Sequence, residues 1–185
     1  MGDKMERKFL AHYIDVNPLG DPATAVTDTT NYVRIGKDLE EYNENLNPDV
    51  SSEKNILGEN TVTHNGYDVS SDVDPFYVRA DDNVPEALAA KVLDIANNRR
   101  TGQGCRTTKV DVLVNSEGTV IWAYREEVMI VPNSVGGDTS GVQVPFSIYN
   151  DGNRVKGTWN VSTKTFTPDA GGSSSNGGSS SNGEG

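Results

Sequence analysis

The strongest constraint on the fold lies between residues 141 and 167, where apolar and polar residues alternate with the period of a half-buried strand. Two alternating segments flank Asp151-Gly152, a pair that suits a two-residue hairpin turn because both central positions need positive φ. We therefore predict a β-hairpin in which Phe146 faces Gly157, so that the glycine leaves room for the ring. The predicted hairpin core consists of Val144, Phe146, Ile148, Val155, Gly157 and Trp159.

The rest of the chain is predicted to be mainly β with one helix. Short strands are indicated at residues 32–35, 108–114 and 120–131, and a last one runs through Phe166. The strand at 120–131 is apolar on both faces, which places it either centrally in a sandwich or at a subunit interface. A helix is predicted over residues 84–98, and its apolar stripe is formed by Leu88, Val92, Ile95 and Ala96.

Chain length and composition favour one domain. The 185 residues are 34% hydrophobic, which is enough for one core and too little for two large domains. We expect this domain to span residues 1–168, with a flexible arm over about residues 1–8. Residues 169–185 are almost entirely Gly, Ser and Asn, a composition typical of a disordered tail or linker.

The charge and the single cysteine restrict partners and compartment. A net charge of −11 disfavours electrostatic binding to nucleic acid. The same charge is consistent with a surface that repels nucleic acid, and also with a charge that only keeps the protein soluble. Cys105 is the one cysteine, so no intrachain disulfide is possible and a reducing compartment is the natural interpretation. No segment has the apolar length of a signal peptide or membrane span, so we expect no membrane binding.

A search for catalytic chemistry finds no motif. His12 and His64 lack a helical metal-ligand partner, and no phosphate-binding loop or nucleophile elbow is present. The acidic run at 68–82 lacks the spacing of a known calcium loop and is better interpreted as a solvated loop. Glu126 and Glu127 are neighbours on a strand and point to opposite faces, so they cannot share a site. We therefore expect that this chain is not an enzyme and that it binds neither a metal ion nor a cofactor.

The connection at residues 47–60 is long and polar but carries two large apolar residues in its middle, Ile56 and Leu57. Loops of this length without structure of their own are usually functional or disordered. We expect the apolar pair either to tuck under the loop or to pack on another chain.

Nine short motifs follow one another along the chain. Each of them is unspecific alone, and only their order makes the set informative. They are AHYID (11–15), GKDLEE (36–41), LNPD (46–49), EKNILGE (53–59), VDPFY (73–77), YRE (124–126), GDT (137–139), NRVKGT (153–158) and KTFT (164–167). Taken together, the sequence resembles the major tail tube proteins of long-tailed phages and prophages of Gram-positive bacteria over about residues 9–167.

This resemblance implies an antiparallel β-sandwich or barrel-like subunit with one packed α-helix and long assembly loops. It implies that six copies close into a ring and that rings stack into a hollow tail tube, the conduit for DNA ejection into the host. The implied partners are further copies of the chain, the tape measure protein and DNA in the lumen, and the tail terminator and distal tail proteins. The implied location is the virion tail, after assembly in the host cytoplasm.

The resemblance also assigns residues. It implies that the loop at 47–60 reaches the neighbouring ring, and the inter-ring residues are then Asn47, Pro48, Asp49, Glu53, Lys54, Ile56, Leu57 and Glu59. An acidic lumen would repel the phosphate backbone, so that DNA slides rather than sticks. Candidates for that wall are Glu40, Glu41, Glu44, Asp111, Glu126 and Glu127.

A second hypothesis comes from a different class, a monomeric β-sandwich module that binds a carbohydrate or a receptor. It requires an exposed aromatic platform, for which Trp122, Tyr124 and Trp159 are the candidates, although their strand positions favour packing. A third hypothesis, a small hydrolase that uses the acidic loop, lacks the necessary motifs.

Overall fold

The computed structural model describes residues 4–17, 19, 31–79 and 87–169. The predicted start of the helix at residue 84 and nearly all of the predicted low-complexity tail lie outside these residues, as do the first three residues of the predicted arm. The described chain is mainly antiparallel β, as predicted. Its strands are β1 Leu10–Asp15, β2 Tyr32–Ile35, β3 Pro48–Lys54, β4 Asn60–Tyr67, β5 Ser70–Val73, β6 Arg106–Val114, β7 Val120–Pro132, β8 Gly136–Asp138, β9 Gly141–Gln143, β10 Phe146–Asn160 and β11 Thr165–Pro168. The helix α1 spans Leu88–Asn97.

Seven strands form one antiparallel sheet. Its order is β11-β10-β7-β6-β1-β2, and β5 pairs with the first part of β10. The strands β3 and β4 pair only with each other, as do β8 and β9. The long strands β7 and β10 form the centre of the sheet because they share the longest antiparallel ladder, from Phe146↔Pro132 to Gly157↔Ala123.

The predicted hairpin at Asp151-Gly152 is wrong. The chain runs through these two residues as one strand, β10, and pairs with β7 along its length. The register shifts between Asn150 and Gly152 and again between Gly152 and Val155, so the turn-forming residues are absorbed as an irregularity in the ladder. The neighbour that decides this outcome is β7, a strand of 13 residues that pairs with β10 on both sides of Asp151-Gly152. A local hairpin would leave backbone groups of β7 without these partners.

The predicted hairpin residues are therefore divided between two cores. Val144, Phe146 and Ile148 are buried in the cluster that lies under α1, whereas Trp159 is buried in a second cluster with Val155 packed against it. Gly157 does make room for an aromatic ring, but the ring belongs to Phe166 on β11 rather than to Phe146.

The helix covers one face of the sheet. Leu88, Val92 and Ile95 are buried against a cluster that includes Val128 and Ile130 of β7, as the apolar stripe predicted. Each of these large side chains contributes roughly 1.5–3 kcal/mol by leaving water. Ala96, the fourth predicted member of the stripe, is only partly buried.

The sheet curls strongly, which closes the second core. The Trp159 ring on β10 lies 4.7 Å from the Tyr13 ring on β1 and 5.4 Å from the Tyr32 ring on β2, centroid to centroid. In the order of the sheet, β1 is three strands away from β10 and β2 is four. Contact between strands so far apart in order requires the sheet to bend round into a barrel-like wall.

Candidate functional site

The strands β3 and β4 form an arm that is exposed along its length. They pair from Pro48↔Tyr67 to Lys54↔Asn60, and every residue of β3 is exposed. The sequence predicts a long connection without regular structure at residues 47–60, and this prediction is wrong because most of the segment belongs to β3 and the turn that joins it to β4. The strands were missed because both faces of the arm are polar for much of their length, so that the usual alternation is weak.

The tip of the arm is held by one side chain. The Oδ1 atom of Asn55 accepts hydrogen bonds from the backbone N–H groups of Leu57 and Glu59, both at 3.0 Å. Its Nδ2 atom donates to Oε2 of Glu59 at 2.6 Å. Gly58 supplies the left-handed conformation that this turn needs, with φ +82°. The tip is therefore an ordered turn rather than a slack loop.

This turn presents the two apolar residues to solvent. Ile56 is fully exposed and Leu57 is 78% exposed, so the pair does not tuck under the loop. Val50 and Val62 are also exposed. Val50 pairs with His64 and Val62 pairs with Ser52, so all four side chains lie on one face of the arm. The arm therefore carries an apolar tip and two exposed valines on one face, which nothing in the described chain covers.

The eight predicted inter-ring residues all fall on this arm or at its base. Asn47 fixes the base, where its Nδ2 atom donates to the carbonyl oxygen of Asp68 at 2.9 Å and to Oγ of Ser70 at 3.0 Å. Pro48, Asp49, Glu53 and Lys54 lie on β3, and Ile56, Leu57 and Glu59 lie in the tip. Their contact with another ring stays a prediction.

A second feature is a cluster of ionisable side chains within the sheet, here called the ionic cluster: His12, Glu44, Lys109, Asp111, Glu126 and Arg154. Four of them are buried, whereas Glu44 is partly buried and Arg154 is exposed. The strand register assembles it, because His12 faces Asp111 between β1 and β6, and Lys109 faces Glu126 between β6 and β7. Residues that face each other across a ladder point to the same side of the sheet. The alternation of β6 then places Lys109 and Asp111 on that one side.

The contacts within the ionic cluster pair both of its cations with carboxylates. The Lys109 ammonium is fully buried; it pairs with Glu44 and lies 3.4 Å from Oδ2 of Asp111. Arg154 Nη1 lies 2.8 Å from Oε2 of Glu126 and 3.7 Å from Oδ2 of Asp111. Two cations and three carboxylates thus meet in the fold, and the described cation nearest to the histidine is the guanidinium of Arg7.

The contacts of His12 determine its protonation. Its Nδ1 atom lies 2.7 Å from Oδ1 of Asp111, and its Nε2 atom lies 3.1 Å from Nη2 of Arg7. A guanidinium only donates, so Nε2 must accept and the single ring proton resides on Nδ1, from which it is donated to Asp111. Burial lowers the pKa of His12, which agrees with a neutral ring.

The other two ionisable groups at the centre are also perturbed. Burial lowers the pKa of Lys109, and the nearby carboxylates Asp111 and Glu126 oppose that effect. Burial by itself would raise the pKa of Asp111, but the hydrogen bond from His12 and the charge of Lys109 outweigh it, so this pKa is lowered. The carboxylate of Asp111 is therefore held in its charged form.

The six candidates for an acidic lumen do not form one surface. Asp111 and Glu126 are buried with partners, so neither is an exposed charge in this structure. Glu44 is partly buried against Lys109. The carboxylates that reach solvent are Glu40 and Glu41, which are exposed, and Glu127, which is partly so. Sequence reasoning missed Lys109, because its neighbours in the sequence do not mark it as buried.

His12, Glu44 and Asp111 bring potential ligand atoms within 4.8 Å of one another. The geometry does not favour a metal ion there. Lys109 already pairs with Glu44 and Asp111, and Arg7 contacts the remaining nitrogen of the histidine. A cation bound by these three residues would have to displace a buried ammonium that balances the same carboxylates. The ionic cluster is best understood as structural.

The aromatic and thiol candidates are placed in packed positions. Trp159 is buried between Tyr13 and Tyr32, which removes it from any exposed platform for a carbohydrate. Tyr124 is covered by the guanidinium of Arg154, 4.7 Å from its ring centroid. The Cys105 thiol is buried and donates to the carbonyl oxygen of Arg100 at 3.2 Å, and burial raises its pKa. It therefore stays a thiol at neutral pH.

Within the described ranges, none of the helices has the length and apolar character that spanning a bilayer requires.

Comparison with known proteins gave no matching family model and no matching curated protein. Among solved structures, the chain is similar to the anti-feeding prophage cap, described as the AFP tube terminating cap, with 13% identity and a TM-score of 0.46 over 85% of this chain and 93% of that one. It is also similar to the PVC sheath/tube terminator of an extracellular contractile injection system in the extended state, with 11% identity and a TM-score of 0.45 over 85% and 99% of the two chains. Structural similarity at such low identity and TM-score does not support a conclusion about the function of this chain.

Proposed function

We propose that this chain is a structural subunit of a phage tail tube. Six copies close into a ring, rings stack into a hollow tube, and the tube conducts DNA during ejection into the host. The proposal rests on the nine ordered sequence motifs and on the exposed arm, and the role requires no catalysis. The tube is assembled in the host cytoplasm around a tape measure protein and ends at tail terminator and distal tail proteins.

The observation that carries the proposal is the arm. A two-stranded ribbon is only marginally stable in water by itself, because it buries almost no apolar surface. This one has an ordered tip that exposes Ile56 fully and Leu57 for the most part. Exposed apolar groups that are held in a fixed geometry are typical of a surface that another protein covers. In a tube, that protein is a copy in the next ring.

The sheet offers a second surface for assembly. Its two ends in the strand order are β2 and β11, and each has one hydrogen-bonding edge that no described strand occupies. Open edges are aggregation sites unless they are paired or covered. Repeated head-to-tail pairing of unlike surfaces generates a closed ring when the rotation closes. The net charge of −11 is consistent with a lumen that repels the phosphate backbone of DNA, so that the DNA slides through without binding to the wall.

The experiment is a double substitution at the tip, Ile56→Asp with Leu57→Asp. Both positions are exposed, so the subunit should keep its fold and its thermal unfolding midpoint. We expect single rings where the unchanged protein forms stacks, measured by sedimentation velocity and negative-stain microscopy. Val161→Asp, at a half-exposed position in the turn after β10, controls for added surface charge and should stack normally. Tubes of normal length from the tip variant would refute the role of the arm.

A further inference from the structure

A cavity of about 470 Å³ lies where the end of α1 meets the residues that follow β7. Its apolar lining includes Ile95, Val131, Pro132 and Val135. Val135 is 51% exposed, so this lining is open to solvent rather than part of the closed core. The volume falls within the range of clefts that bury drug-sized ligands, roughly 300–1,000 Å³.

The charged part of the lining is basic, and the neutral polar members of the lining are Asn97, Thr101, Asn133 and Ser134. Arg99 and Arg100 stand at the rim, and no acidic residue is among the described lining residues. Arg100 contacts Oδ2 of Asp94 on α1 at 2.8 Å, whereas Arg99 is an exposed residue. The arm has the opposite character, because Asp49, Glu53 and Glu59 outnumber Lys54. An apolar lining with a basic rim thus matches an apolar tip with acidic flanks.

The cavity and the arm lie at opposite ends of the same three-strand ladder. Tyr149 of β10 faces Ser70 of β5 on one side and Met129 of β7 on the other, and the arm leads into β5 at this end. Three residues along β10, Phe146 faces Val73 and Pro132, and the cavity lies just beyond Pro132. These two places lie about 10 Å apart along β10, at roughly 3.3 Å per residue. The arm and the cavity are therefore separate and unlike surfaces, as head-to-tail association requires.

We propose that this cavity receives the arm tip of a second copy of the chain in the next ring. Ile56 and Leu57 insert between Val131 and Val135, while Glu53 and Glu59 face Arg99 and Arg100. The inference rests on the proposed stacking of rings and adds to it the surface that the arm meets. It concerns residues 95–101 and 131–135, which lie in none of the nine motifs.

The test is complementation between two variants that are each defective on one side. The first is the tip variant, Ile56→Asp with Leu57→Asp, which keeps the cavity; the second is Val135→Asp, which keeps the arm. Each variant alone should stop at single rings, because a head-to-tail contact needs both surfaces. A mixture of the two should form pairs of rings and nothing longer, since one cavity-intact ring and one arm-intact ring supply a single working contact. Mass photometry and negative-stain microscopy distinguish one ring from two.

The outcomes separate this inference from the proposed function. Normal tubes from Val135→Asp, with single rings from the tip variant, would overturn the cavity assignment and leave the arm in place. Single rings from both variants without ring pairs in the mixture would show that the arm and the cavity are not partners. A wild-type protein that forms no rings would overturn both proposals. Arg99→Glu, at an exposed position on the rim, replaces Val135→Asp if that variant does not fold, and Val161→Asp is the matched valine control.

Discussion

The Nδ1 atom of His12 on β1 donates to Oδ1 of Asp111 on β6 across 2.7 Å, and both residues are buried. This contact joins the strand that follows the N-terminal segment to the middle of the sheet, 99 residues later in the chain. Asp111 also balances the buried ammonium of Lys109. The two residues therefore connect the stability of the sheet to the protonation of one imidazole and one carboxyl group.

Removal of the Asp111 carboxylate should be strongly destabilising. Asp111→Ala leaves the ammonium of Lys109 buried with one close partner fewer, and breaking a buried pair in this way costs about 3–5 kcal/mol. Urea unfolding followed by tryptophan fluorescence measures the loss. The control is Glu127→Gln, a partly exposed carboxylate on β7, which should change the free energy of unfolding by about 0.5 kcal/mol or less. A loss below about 1 kcal/mol in Asp111→Ala would contradict the role of the ionic cluster.

The stability should fall as the pH falls below about 6.5, the usual pKa of histidine. Burial lowers the pKa of His12, and the cations Arg7 and Lys109 act in the same direction, so the unfolded chain binds the proton before the folded one does. The stabilisation is therefore complete above the unfolded pKa and declines as the pH falls towards the folded pKa. Asp111, whose pKa is also lowered, adds a further loss only near and below about pH 4.

The measurement for this prediction is the thermal unfolding midpoint between pH 7.5 and pH 5. His12→Gln removes the titrating group, so its midpoint should change less over this interval than that of the unchanged protein. Equal slopes for the two proteins would mean that another group dominates this pH range.

A methyl group at Gly157 should push β11 away from the sheet. A Cβ atom placed there meets the carbonyl oxygen of Thr167 and lies 2.5 Å from Cζ of Phe166, so the strand and the ring must both move. Overpacking of this kind typically costs about 1–3 kcal/mol. Gly136→Ala is the matched control, because nothing lies within 4 Å of its added Cβ and its backbone needs no glycine. If the two alanine variants unfold at the same urea concentration, the close approach at Gly157 is wrong.

The mainly-β class and the stripe of α1 could be predicted because they depend on local periodicity. The pairing of β10 could not. Asp151-Gly152 is a sound turn signal when only neighbouring residues are considered, but the two-faced apolar strand β7 lies between β6 and β10 and pairs with both. Competition for a partner strand is a property of the whole sheet, and a local pattern does not contain it.

The ionic cluster was hidden for a similar reason. His12, Lys109 and Asp111 are individually unremarkable in the sequence, and only the register of β1 against β6 places them together. The arm was partly visible, because Ile56 and Leu57 were conspicuous in a polar segment. Its strands were not visible, because a ribbon with two wet faces lacks the alternation that marks a half-buried strand.

Negative-stain electron microscopy of the purified wild-type protein at increasing concentrations tests the proposed tube assembly. We expect rings with six-fold symmetry and a central opening, which lengthen into hollow tubes as the concentration rises. A protein that stays a monomer throughout this range, and that also fails to bind tail terminator and tape measure proteins, would refute the proposed tube assembly.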